Sequence, residues 1–372
     1  MRRLGVLTWA REWLGSTGAT AWGVAASMTV AAGLLAAWGL AGCDEAGGGA
    51  GDGAGVRYNA GASVGELLRY TLDLDGMKYS YEIVESQFGQ LGQTGAGTLS
   101  KNEDGSYTPS GAPDTSVIVL PNGMLFGAET VTWGGAQRQL LYAGAKALGG
   151  PVVPQEIAGT YNTIEYSCSP DVDPACGPGA YFTSYGTLKV NADGTFVACP
   201  RGDVEDQAAH PCEATQPGTW TDEGGGLIAA KVGDVQLGTV TVVPSSGGGR
   251  ALVMDLRDVP PFGTSGIMVG VRRVALAGQD LSGTYLYTGD DNNHGQVVVD
   301  SAQDRYTGTI WEPQQPGQDY AGGLTRDQPW AGWLEATDDQ GETTNLLLLP
   351  GDGVFFNTSF TENSWIDIGG RL

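Results

Sequence analysis

The chain has 372 residues, with 19 Lys and Arg against 42 Asp and Glu and a net charge of −23 at pH 7. So acidic a surface repels nucleic acid and anionic lipid headgroups, which excludes a polyanion-binding role. A hydrophobic content of 41% excludes a disordered polymer, and 61 glycines with 18 prolines beside few helix-period patterns predict an all-β protein of short strands and tight turns.

In chain order, residues 1–42 come first as a leader. Arg2, Arg3 and Arg11 precede an apolar run from Ala19 to Leu40, and Leu40-Ala41-Gly42-Cys43 is followed at once by Asp44, Glu45 and the flexible tract of residues 46–55. Apolar run, Leu-small-small-Cys tetrad and flexible tract, in that order, resemble the lipobox of bacterial lipoproteins. The resemblance implies that residues 1–42 are a cleaved signal peptide and that Cys43 is the lipidation site, with a diacylglyceryl group on its thiol and an acyl chain on its new amino group. It implies a bacterial cell-envelope protein on a lipid anchor, facing the periplasm or the surface. Two or three chains on one residue hold firmly where one is marginal, since each buried methylene contributes about 0.8 kcal/mol. At about 20 residues the apolar run is also long enough to cross a bilayer uncut, which would tether the chain as well.

After the linker of residues 43–55, Leu68, Tyr70, Leu72 and Leu74 alternate with polar residues, and Met77, Tyr79, Tyr81 and Ile83 share a face beyond Asp75-Gly76. This predicts a hairpin with a two-residue Asp-Gly turn. An internal repeat follows. Residues 97–107, GTLSKNEDGSY, match residues 186–196, GTLKVNADGTF, without a gap, and a looser copy runs from Gly295 to Tyr306. Gly159-Thr160-Tyr161 and Gly283-Thr284-Tyr285 open two of the copies, and Val117–Phe126 parallels Leu346–Phe355. These landmarks predict three tandem antiparallel β modules, 56–150, 151–277 and 278–372, each a small barrel or a sandwich, with a β-propeller as the alternative. In the second module eight strands are expected between Thr160 and Val271. The Gly-Thr-Tyr openings resemble the Gly-x-Trp start of lipocalin and avidin barrels.

Four cysteines besides Cys43 fall in the second module: Cys168, Cys176, Cys199 and Cys212. An even number in an exported chain predicts disulfides rather than a zinc site. All three pairings are open, and Cys168–Cys176 with Cys199–Cys212 is favoured because it ties down two long loops. The loop Asp290-Asp291-Asn292-Asn293-His294-Gly295 echoes the start of a calcium loop, but Ser301 stands where the closing glutamate would be, so a plain turn is expected. No residue set calls for a cofactor or metal. His210 and His294 lie near no nucleophile signature, and a non-catalytic protein is expected.

The candidate ligand site is aromatic. Trp311, Trp330, Trp333 and Trp365 lie in the third module with Tyr320 among them, and such faces stack on sugars or fill a partner's pocket. Glu312 and Asp327 would supply hydrogen bonds; the competing assignment places these rings in a core. The chain resembles uncharacterised proteobacterial lipoproteins with glycine-rich β repeats. That implies a binding or scaffold protein of the envelope whose partner is a glycan, a peptide or another envelope protein. The alternatives are a lipocalin-like carrier of a small apolar ligand, which requires an internal cavity, and an envelope hydrolase acting on glycans through acids such as Glu312 and Glu335.

Overall fold

The computed structural model describes residues 55–371 except for 113–114, 134–135, 170–175, 178–179, 244–249, 260–262, 290–292, 312–316, 352 and 359–364. The leader, Cys43, Glu312 and Asp290-Asp291-Asn292 lie outside the described residues. Among the described residues no helix is long and apolar enough to cross a membrane.

The strands close into three antiparallel barrels of eight, each taken in chain order. Barrel 1 is β1 (Val56–Ala62), β2 (Leu67–Asp73), β3 (Lys78–Glu85), β4 (Thr94–Lys101), β5 (Tyr107–Pro109), β6 (Ser116–Val119), β7 (Met124–Trp133) and β8 (Ala136–Lys146). A one-turn helix, α1 (Pro154–Ile157), leads into barrel 2: β9 (Gly159–Cys168), β10 (Tyr181–Val190), β11 (Thr195–Pro200), β12 (Gln216–Gly224), β13 (Leu227–Val232), β14 (Val235–Val243), β15 (Ala251–Leu256) and β16 (Ser265–Arg272). Barrel 3 is β17 (Gly283–Gly289), β18 (His294–Asp300), β19 (Arg305–Trp311), β20 (Gln318–Arg326), β21 (Trp333–Asp338), β22 (Thr343–Leu349), β23 (Val354–Thr358) and β24 (Ile366–Arg371). The sandwich and propeller alternatives are overturned, because β1 pairs β8, β9 pairs β16 and β17 pairs β24, so no sheet edge is left free.

One device recurs at each closing seam. A tyrosine near the start of the first strand lies opposite a basic residue at the end of the last: Tyr58 and Lys146, Tyr161 and Arg272, Tyr285 and Arg371. In barrels 2 and 3 the tyrosine hydroxyl also donates 2.7 Å back to a carbonyl four residues earlier, Ile157 and Leu281, whose apolar side chains are buried there. Gly159 and Gly283 start these strands at φ 152° and 157°, where a Cβ would come 2.9 Å from Arg272 and 2.5 Å from Arg371. The Gly-Thr-Tyr openings are thus the closing points of two barrels.

The turns match the sequence unevenly. In both Asn-x-Asp-Gly turns the first Asn side chain donates to the hydroxyl four residues on, Asn102 to Ser106 at 2.8 Å and Asn191 to Thr195 at 2.9 Å. The Asp accepts the backbone N–H two residues on, so the sequence match is also a match of hydrogen bonds. The copies are out of phase, however: the first joins strands four and five of barrel 1, the second joins strands two and three of barrel 2. The two-residue Asp75-Gly76 turn is corrected as well. Pairing stops at Asp73 and Lys78, the Asp73 carboxylate accepts the Gly76 N–H at 2.7 Å, and the positive φ falls on Met77. The side-chain bond makes a four-residue turn the better closed one.

The barrels pack on one another through their outer faces. β1 meets β14 and β15, β8 meets β14, β16 and β9 meet β22, and β6 and β7 meet β17. Phe126 and Ala143 of barrel 1, Ile164, Val269 and Val271 of barrel 2, and Leu286, Leu347 and Phe356 of barrel 3 join a single buried cluster. Strands apolar on both faces, such as β15 and Leu346–Leu349, therefore have one face in a lumen and the other in this seam.

Candidate functional site

The tryptophans do not form an exposed platform. Trp333 is 0% exposed and Trp330 8%, with their rings edge to face at 6.2 Å and Tyr185 of barrel 2 against both. The Trp330 Nε1–H donates 2.8 Å to Asn162 Oδ1, which also accepts from Arg273 at 3.2 Å, and Asn162 Nδ2 donates 2.9 Å to the Ala331 carbonyl. Arg273 in turn makes a two-pronged pair with Asp203 at 2.8 and 3.0 Å. Trp330 and Trp333 are thus corrected from a ligand face to the joint between barrels 2 and 3, since stacking on a sugar requires an exposed ring. Trp311 ends β19, and Trp365 is half-buried beside the start of β24.

Asp327 is structural too. Its carboxylate accepts the N–H groups of Leu276, Ala277 and Gly332 at 2.9, 3.0 and 2.8 Å, fastening the link between barrels to the β20–β21 turn. Burial works to raise its pKa, but these donors outweigh that and hold it below the ordinary carboxylate value. The His210 ring lies 5.2 Å from Trp330 at the same joint. Cys168 is bonded to Cys176 and Cys199 to Cys212, with Cα separations of 5.7 and 5.0 Å, so both loops leaving β9 and β11 are tied down. Among the described residues no three His, Cys, Asp or Glu side chains are placed to hold a metal ion.

The lumens differ in what fills them. Barrel 2 is packed with Tyr161, Leu188, Phe196, Trp220, Val240 and Leu252. In barrel 1, Glu129 shares the lumen with Tyr70, Tyr79, Tyr81 and Tyr142, and burial pushes its carboxyl up to about 7 against a hydrogen bond with Thr115.

Barrel 3 holds a cavity of about 340 Å³. Leu281, Tyr285, Val299, Leu324, Leu334, Leu348 and Phe355 line one end, while Asp338, Glu342, Thr344, Asn357 and Asp367 line the other. The apolar end is covered by segment 276–282, which Arg326 holds down by donating to the carbonyls of Leu276 at 3.0 Å and Gln279 at 2.6 Å. The acidic end is where β21 finishes and β22 and β24 begin. Between the two ends, Tyr320 and Tyr287 share a hydroxyl–hydroxyl hydrogen bond of 3.2 Å.

Glycines explain why there is space. A Cβ on Gly308 would come 2.4 Å from the Tyr320 ring, and one on Gly322 would come 2.6 Å from the Tyr306 hydroxyl. Each ring can lie flat along the wall only because its neighbour has no side chain, and this leaves the axis of the barrel open. Burial raises the pKa of Tyr320 well above the ordinary tyrosine value, and the charge of Asp367 adds to it. Tyr306 is pushed up to about 12, first by burial and then by Asp338 and Asp339. The field of the rim carboxylates therefore reaches into the lumen. Of the ligand-site candidates named from sequence, only Tyr320 lines this cavity; Tyr285, Tyr306 and Phe355 were legible as strand landmarks but not as lining, and Tyr287 and the rim acids were missed. The signal that could have found them is the spacing Tyr-x-Gly in Tyr306-Thr307-Gly308 and Tyr320-Ala321-Gly322, two lumen positions on one strand.

No family model matches the chain, and no curated protein is similar to it in sequence. Among solved structures it is similar to a variant of the vaccine antigen transferrin binding protein B from Haemophilus parasuis, at 7% identity and a TM-score of 0.22, over 82% of this chain and 64% of that one. It thus spans less than two thirds of that protein's length. A protein of unknown function of the DUF3598 family from Nostoc punctiforme is similar at 12% identity and a TM-score of 0.19, over 86% and 94% of the two chains. The DNA polymerase III subunit beta of Pseudomonas aeruginosa is similar at 7% identity and a TM-score of 0.14, over 85% and 92%.

Proposed function

We propose that this chain is a lipid-anchored protein of the bacterial envelope that binds a small molecule with an apolar body inside its third barrel, without turning it over. The cavity of about 340 Å³ carries the proposal. Its volume lies within the range of ordinary small-molecule sites, and its apolar end and scattered polar groups have their usual character. Two disulfides suit an oxidising compartment, in keeping with the lipobox at Leu40–Cys43.

The test of the cavity is binding of N-phenyl-1-naphthylamine, a neutral probe whose fluorescence rises in apolar surroundings. Ala336 is a small residue of the lumen wall. Ala336→Trp puts an indole into the cavity and is expected to weaken the probe at least about tenfold, equivalent to about 1.4 kcal/mol. Circular dichroism of the variant establishes that the barrels remain folded. Failure of the native protein to bind the probe, or equal binding by the folded variant, defeats the proposal. The anchor is tested separately: Cys43→Ala is expected to abolish fatty-acid labelling and leave an uncleaved precursor, and labelling that persists in the variant removes the lipoprotein assignment.

A further inference from the structure

We infer that the third barrel selects a cationic amphiphile, a primary alkylammonium whose tail lies in the apolar end and whose head sits among Asp338, Asp367 and Asn357. This rests on the lumen being a binding site and adds what kind of molecule it takes.

The charge around the cavity is one-sided. Asp338, Glu342 and Asp367 line it, and none of its described lining residues is Lys or Arg. The nearby Arg305 is held by Asp339 at 3.3 Å, with both side chains more than half exposed to solvent outside the barrel. Asp338 uses one oxygen, Oδ1, to accept the N–H groups of Gln340 and Glu342, each at 2.8 Å. Asp367 accepts from Asn357 Nδ2 at 3.3 Å, which ties the two cavity-lining side chains together. An anionic head here would meet three carboxylates, whereas an ammonium would meet charge-assisted acceptors.

A second observation is independent of charge. Among the described residues Asn357 Oδ1 is a buried acceptor with no donor, and Asn357 lines the cavity. A buried acceptor left unpaired is unfavourable, so a ligand that brings an N–H to it relieves that cost, as a primary ammonium does and a quaternary one does not. Tyr287, Tyr306 and Tyr320 line the cavity as well, and aromatic rings are favourable neighbours for a cation. A cavity of about 340 Å³ sits at the small end of the range for ligand pockets, which suits a single chain of medium length.

The experiment displaces N-phenyl-1-naphthylamine from the native protein with three probes of one length: decylamine, 1-decanol and decanoate, at pH 7 and below micelle formation. Decylamine is expected to bind at least about tenfold more tightly than decanol, and decanoate more weakly than decanol. The decylamine-to-decanol ratio is expected to shrink in 0.5 M salt and to fall to within about twofold in the Asp338→Asn, Asp367→Asn double variant. Equal affinities for decylamine and decanol, or tightest binding of decanoate, overturn the cation preference while leaving the lumen as a binding site. If none of the three displaces the probe, or the probe itself does not bind, the binding-site reading falls and the inference with it.

Discussion

Trp333→Ala is expected to lower the stability of the folded chain by about 3–5 kcal/mol, the usual cost of emptying a buried aromatic site. The Trp333 ring is wholly buried, faces Tyr185 and Trp330, and belongs to the cluster in which all three barrels meet. The walls of that site are strands closed into barrels, which cannot collapse inward to fill the space. A shift of the urea midpoint to lower denaturant at unchanged slope measures the loss. Titration of the native protein with envelope glycans is expected to leave tryptophan fluorescence flat where Trp330 and Trp333 are concerned. An unshifted midpoint in Trp333→Ala would return the ring to the surface and reopen the stacking assignment.

The second large effect is on pH. Glu66, in the turn between β1 and β2, is 0% exposed at the junction of barrels 1 and 2. Burial pushes its carboxyl up to about 7, although its Oε1 accepts from Ser86 Oγ at 2.9 Å and from the N–H groups of Gln87 and Phe88 at 3.2 Å. Gln87 continues across the junction, donating to the Leu256 carbonyl at 3.1 Å and accepting from the Asp258 N–H at 2.8 Å. Asp255, also 0% exposed, is raised well above the carboxylate range by burial, with the charge of Glu66 adding to it.

A carboxyl whose folded pKa is raised keeps a proton that the unfolded chain has released. Its neutral form is the one the fold favours, so stability is full below the unfolded value near 4.5 and falls as pH rises to about 7. For Glu66 the loss is at most about 3.4 kcal/mol at 1.36 kcal/mol per pH unit. Glu129 acts in the same direction. Asp193, Glu205, Asp280 and Asp327 have lowered pKa values and act oppositely, losing their contribution only as pH falls through their own lower range. Stability is therefore expected to peak near pH 5 and to be lower at pH 7.5, with Glu66→Gln flattening the slope between 5 and 7.5. A urea midpoint that rises from pH 5 to pH 7.5 would show that burial does not govern these acids.

Much of the fold was legible because it is written in local chemistry. Alternation gave the eight strands of barrel 2, and Gly-Thr-Tyr marked two barrel openings through a hydroxyl bonded four residues back. The parallel between Val117–Phe126 and Leu346–Phe355 is the hairpin of strands six and seven in barrels 1 and 3. Its barrel 2 counterpart, Val240-Thr241-Val242-Val243, is harder to see in the sequence because Thr241 breaks the apolar run. The Asn-x-Asp-Gly match misled about phase, since a turn that satisfies its own hydrogen bonds can stand between any two strands.

The site was less legible. Whether a strand's second apolar face meets another barrel or a lumen depends on contacts distant in sequence, as between Leu347 and Leu348, adjacent residues facing opposite ways. Trp330 and Trp333 were visible as a cluster, but what buries them, Asn162 and Tyr185, lies about 150 residues earlier. The cavity depends on glycines opposite tyrosines, and sequence shows each residue without its partner across the strands.

Because Phe126, Val269 and Phe356 turn their backs on their own lumens to meet in one seam, the three repeats have given up autonomy. Severing the chain near residue 150 or 277 would free no miniature protein, only barrels each with a greasy flank newly in water. Whatever such an object is joined to carries a single cargo rather than beads on a string.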